Sequence, residues 1–130
     1  MDAPRKSPYK SRGGARRIWH ASRYSFAGFA SAFRNEAAFR QLLFLAAILV
    51  PVAVVLPVGA LEKAVLIGSV VLSLIIEMLN SAIESAVDRI SLDHHPLAKQ
   101  AKDMGSAAQM LGLLNIAIVW GIVLFPLLNG

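Results

Sequence analysis

Three carboxylates and one amide share a helical face in the stretch EMLNSAIESAVDR, residues 77–89: Glu77, Asn80, Glu84 and Asp88. At about 100° per residue their side chains fall within a sector of roughly 80°. The thirteen residues just upstream, 64–76, carry no charge. A polar stripe that continues straight out of an apolar helix is costly unless it faces protein, water or a cation. Glu77 and Glu84 are separated by a rise of only about 10 Å, so as unpaired carboxylates they repel. A divalent cation removes that conflict. Carboxylate oxygen is a hard ligand suited to Mg²⁺, which commonly takes one or two carboxylates together with substrate phosphates. The competing reading is a polar ladder that zips helices together, although Asn or Ser fills that role without a charge.

Other side chains are placed to join such chemistry. Glu36 stands at the inner end of the first apolar run, at a depth similar to Glu84, and is the candidate second metal ligand. Lys102 and Asp103 are a charged turn flanking a third apolar run, or, in the functional reading, a cation that balances phosphate charge and its neighbour. Arg17 and Tyr24, seven residues apart, lie together on one face of an upstream helix, a second cation beside a ring able to contact a nucleotide. His94 and His95 are adjacent, poor spacing for two ligands of one metal, so they read as loop with His95 available to a nucleotide. The chain has no GxxxxGK[ST] loop, no Gly-rich kinase loop and no HRD or DFG signature.

The elements that must position these groups are helical and mostly apolar. Of 130 residues, 56% are hydrophobic and 16% charged, too apolar for an ordinary soluble domain. Residues 1–14 read as a disordered basic tail. Residues 15–35 read as an amphipathic surface helix, with Trp19, Phe26, Ala30 and Phe33 in one stripe flanked by Arg16, Arg23 and Arg34. Gly28 marks a place for that helix to bend. The first span is expected over 36–57, kinked at Pro51 and ended by Pro57-Val58-Gly59. Glu62 and Lys63 are expected in a short outer loop, with the second helix within 62–90 and its apolar run starting near Ala64. A third helix is expected over 97–128, with Pro96 suited to its first turn and small residues Gly105, Ser106, Ala108 and Gly112 allowing close approach.

Charge sets the orientation. Nine of the thirteen Lys and Arg residues lie in the first 40 positions, and the remaining inner loop carries most of the others. The amino end is therefore expected in the cytoplasm, with the acids at the cytoplasmic rim. With no Cys, disulfides and thiolate metal sites are excluded.

At EMLNSAIESAVDR, at NEAAFRQ (35–41) and at AKDMGSAA (101–108), the chain resembles the bacterial integral-membrane diacylglycerol kinase family, over about residues 15–128. The resemblance implies an all-α membrane protein with three transmembrane helices and an amphipathic surface helix, assembled as a homotrimer in the inner membrane. It implies composite active sites between subunits at the cytoplasmic face. The implied activity is transfer of the γ-phosphoryl group of MgATP to a lipid hydroxyl, typically turning diacylglycerol into phosphatidic acid. By matching motif positions, Glu77 is the general base at the acceptor and Asn80 part of the catalytic shell. Glu36 and Glu84 are the metal ligands. Arg17, Tyr24, Glu84, His95, Lys102 and Asp103 handle ATP, and Ser106 meets the lipid. This chain has Leu42 after FRQ, where the best-studied branch has Glu, and His20 where some members have Lys. A related branch phosphorylates undecaprenol, so the acceptor stays open between two lipid alcohols. A small proton-coupled exporter also places a Glu in a short bundle, but it leaves Glu36, the 102–103 pair and the surface helix without a role.

Overall fold

The computed structural model describes residues 13–90 and 95–130. Most of the basic tail, and His94, lie outside the described residues. The protein is all-α, with four helices in chain order: α1 (Gly14–Asn35), α2 (Ala37–Val55), α3 (Ala60–Ile90) and α4 (Pro96–Asn129). The last three are long and apolar enough to cross a membrane.

A single residue separates α1 from α2. Glu36 is extended, at φ −119° and ψ 105°, closing one helix and opening the next. Arg40 secures the junction by donating from Nη1 to the carbonyls of Phe33 at 2.7 Å and Arg34 at 3.2 Å, which end α1 without helical partners. Helical backbone runs through Gly28 in α1 and through Pro51 in α2.

The α2–α3 connection is shorter than expected from sequence. Glu62 and Lys63 do not lie in a loop; they belong to the first turn of α3, which begins at Ala60. Two interactions explain the longer helix. The Glu62 carboxylate sits at the positive end of the helix dipole and folds back over Gly59. Lys63 reaches from its Nζ to the Val54 carbonyl, 2.6 Å away, in the last turn of α2. At the start of α4 the His95 ring accepts from the backbone N–H of Leu97 at 3.1 Å, and Pro96 occupies the first helical position.

Helices α3 and α4 pack most extensively and run antiparallel. Lys102 meets Asp88, Gly105 meets Asn80, Gln109 meets Glu77 and Ser73, and Gly112 meets Ile76. Each step forward on α4 is thus a step back on α3. Helix α2 also packs on α3, and α1 on α2. The buried apolar core, Ala46, Ala53, Leu66, Val70, Ile116 and Trp120, lies in the half of the bundle remote from the acids. Around the outside, large apolar side chains such as Phe44, Leu111, Ile122 and Phe125 are exposed along the three long helices. Such a surface suits lipid or further protein rather than water.

Candidate functional site

The polar stripe of α3 is turned into the α3–α4 seam. Glu77 is only 5% exposed although it carries a carboxylate. Its Oε2 accepts from Nε2 of Gln109 at 2.9 Å. The same Nε2 donates to the Ser73 carbonyl at 3.1 Å, and Ser73 returns a bond from its hydroxyl to Gln109 Oε1 at 3.0 Å. Ser73 has no exposed surface. Gly112 makes room for this arrangement: a Cβ there would lie 2.8 Å from Gln109 Oε1 and 3.0 Å from Ile76 Cδ1.

One turn further along α3, Asn80 is 9% exposed and its Nδ2 points to Glu84 Oε1 at a long 3.5 Å. Its Oδ1 is buried without a hydrogen-bond partner. Gly105 of α4 lies directly against that oxygen, so close that any Cβ at 105 would collide with it. Small residues on α4 therefore let the polar stripe be buried at all.

Beyond Glu84 the seam opens at a charged rim. Asp88 and Lys102 pair across the two helices at 2.6 Å, and Lys99 pairs with Asp103 along α4 at 2.5 Å. The Lys102 ammonium donates its bond and the Asp88 carboxylate accepts it. Ser106 is exposed on α4 next to Gly105, and His95 caps the helix that carries both. Glu36, half-buried at the start of α2, stands at the same end of the bundle. Arg17 and Tyr24 are exposed on α1. The structure thus brings Glu77, Asn80, Glu84, Asp88 and Lys102 into one line. Arg17 and Tyr24 lie apart from that line, on a helix packed chiefly against α2.

Between α1, α2 and α3 lies an apolar cleft of about 870 Å³, lined by Phe29, Phe33, Phe39, Leu43, Leu74 and Ile75 among others. Its α3 residues belong to a different face from Glu77.

No three His, Cys, Asp or Glu side chains among the described residues gather as a metal cage. The donor chemistry still fits Mg²⁺. Glu84 is a partly exposed carboxylate bonded only at long range, beside the unpartnered oxygen of Asn80. Magnesium takes one or two carboxylates and leaves its other positions to water and phosphate.

A buried carboxylate in a three-span bundle, with a lysine–aspartate rim, defines a seam but not a lineage. The family described as prokaryotic diacylglycerol kinase matches residues 23–124. The chain belongs to that family. A diacylglycerol kinase of Pseudomonas aeruginosa is 54% identical over 118 residues, covering 91% of this chain and 96% of that protein. Diacylglycerol kinases of Escherichia coli and Haemophilus influenzae are 46% and 44% identical over 112 residues, covering 86% of this chain and 92% and 95% of those proteins.

Within this diacylglycerol kinase family member, sequence reasoning named the acids and missed what holds them. Gln109 and Ser73 went unnoticed. One signal was available: Gln109 is an amide six residues past Asp103, within the uncharged run of α4, and such groups rarely face lipid.

Proposed function

We propose that this protein is an ATP-dependent diacylglycerol kinase of the inner (cytoplasmic) membrane, producing phosphatidic acid from diacylglycerol. In this reading it works as a homotrimer, with the amino end and the acid rim cytoplasmic and α1 lying amphipathically in the interface. The observation that carries the proposal is Glu77: a carboxylate 5% exposed within an apolar bundle, in a chain of this family. A group of that kind can meet the hydroxyl of a lipid whose tails stay in the bilayer.

Phosphoryl transfer asks a protein mainly for positioning and charge neutralisation. Glu77 takes the proton as the acceptor O–H bond breaks. The new O–P bond forms at the γ-phosphorus, and the bond to the bridging oxygen breaks, leaving ADP with the electron pair. Asn80 keeps the stripe in register between Glu77 and Glu84. Glu36 and Glu84 would hold Mg²⁺, which when bound neutralises phosphate charge and orients the triphosphate. Lys102 and Arg17 offset charge on the transferred group. Tyr24, Glu84, His95 and Asp103 contact the nucleotide, and Ser106 meets the lipid acceptor.

The test offers γ-labelled ATP with diacylglycerol and undecaprenol in parallel detergent micelles. Label is expected in phosphatidic acid. Label in undecaprenyl phosphate alone would replace the acceptor while keeping the chemistry. ATP left intact in both arms would remove the kinase reading.

A further inference from the structure

The bond network around Glu77 has a direction. An amide side chain can present either its oxygen or its NH₂ to a neighbour, and the two choices differ completely for a carboxylate. Here the choice is forced. Ser73 is fully buried, and its hydroxyl donates to Gln109 Oε1 at 3.0 Å. The Ser73 carbonyl, on the same residue, accepts from Nε2 at 3.1 Å. A flipped amide would set its oxygen against that carbonyl and against Glu77, and both bonds would become repulsions. Serine 73 therefore selects the orientation in which Nε2 faces Glu77 Oε2. The missing side chain of Gly112 supplies the space in which hydroxyl and amide meet.

We propose that Gln109 is a positioning residue for Glu77, with its amide set by Ser73. The inference rests on the assignment of Glu77 as general base. The amide ties down one carboxylate oxygen, and no donor among the described residues bonds the other, Oε1. One oxygen is thereby immobilised and the other is presented in a fixed direction. A carboxylate on a three-torsion side chain otherwise samples several rotamers. Misplacing a reacting group by about 1 Å can cost roughly a hundredfold in rate. The clamp acts on orientation at the reacting centre and touches neither the charged rim nor the apolar cleft, so it should leave substrate affinity alone.

The test measures steady-state kinetics of the full-length protein in lipid–detergent micelles for Ser73→Ala, Gln109→Leu and the double variant, with Glu77→Gln beside them. The expected result for Gln109→Leu is a fall in kcat of about 10- to 100-fold, with KM for MgATP and for diacylglycerol within about twofold of wild type. Ser73→Ala should lose less, because the carbonyl of residue 73 and Glu77 still select the amide's orientation and only the hydroxyl's hold on Oε1 is lost. The double variant should be no slower than Gln109→Leu, because Ser73 acts only through the amide. Three results would each overturn the clamp: unchanged kcat in both single variants, losses that multiply in the double variant, or losses confined to KM. If Gln109→Leu does not fold, Ser73→Ala and Gln109→Met carry the same comparison. Wild-type turnover by Glu77→Gln would instead remove the base assignment itself, whereas an inactive Glu77→Gln beside fully active Ser73 and Gln109 variants removes the clamp alone.

Discussion

Replacing Gly105 by alanine tests the closest helix contact in the site. A Cβ at 105 would collide with Asn80 Oδ1 and lie 3.2 Å from its Cγ. Asn80 must then leave its place. Overpacking a tight site of this kind typically costs about 1–3 kcal/mol. Against that stands the higher helix propensity of alanine, worth about 1 kcal/mol over glycine. The Asn80 oxygen has no partner to lose, and its bond to Glu84 is long, so steric overlap dominates the cost. Near the upper end of the overpacking range the net is a destabilisation of about 1–2 kcal/mol, up to roughly 30-fold in the folding equilibrium. The structure also predicts a change of sign. In an Asn80→Ala background only the Cβ of residue 80 remains near the new methyl, at 3.9 Å, which is ordinary contact. There Gly105→Ala should stabilise by up to about 1 kcal/mol, because only the propensity gain survives. The assay is reversible unfolding in mixed micelles titrated with a denaturing detergent, run on all four members of the cycle. Equal effects of Gly105→Ala in the two backgrounds would refute the reasoning, because they would mean that Asn80 is not what the methyl meets.

Other outcomes can be checked separately. Glu77→Gln should abolish phosphoryl transfer while MgATP binding, followed by equilibrium dialysis, largely persists. Glu84→Gln should shift the Mg²⁺ dependence of nucleotide binding to higher concentration, and an unchanged titration would argue against a ligand role. Leu66→Ala, at a fully buried core position, should cost about 3 kcal/mol of stability, with little change in KM for either substrate, because Leu66 lies in the half of the bundle remote from the acids.

Where the site is concerned, the sequence marked the acid face of α3 and, on α4, Lys102, Asp103, Ser106 and a run of small residues, but not which of them meet. The stripe of Glu77, Asn80, Glu84 and Asp88 is readable because helical period alone places four side chains on a common face. The pairing of Lys102 with Asp88 was not readable, since both look like ordinary rim charges until the helices are set side by side. His95 shows the same limit. Its adjacency to His94 suggests loop, while the structure uses its ring as a helix cap at Leu97. Glu62 and Lys63 went the other way: charges at the edge of an apolar run look like a loop, but one sits at a helix N-terminus and the other reaches the end of the preceding helix.

Sequence by itself determined the all-α class, the three apolar runs and the acid face, since hydrophobic length and helical period are properties of neighbouring residues. It also carried the motifs that mark the family. Only the tertiary structure decided that Glu77 meets Gln109, thirty-two residues away, and that Asn80 lies against Gly105. Those contacts depend on the sliding register of α3 against α4. That register is set by where two helices find small residues opposite bulky or polar ones, and no local pattern along either strand of sequence contains it.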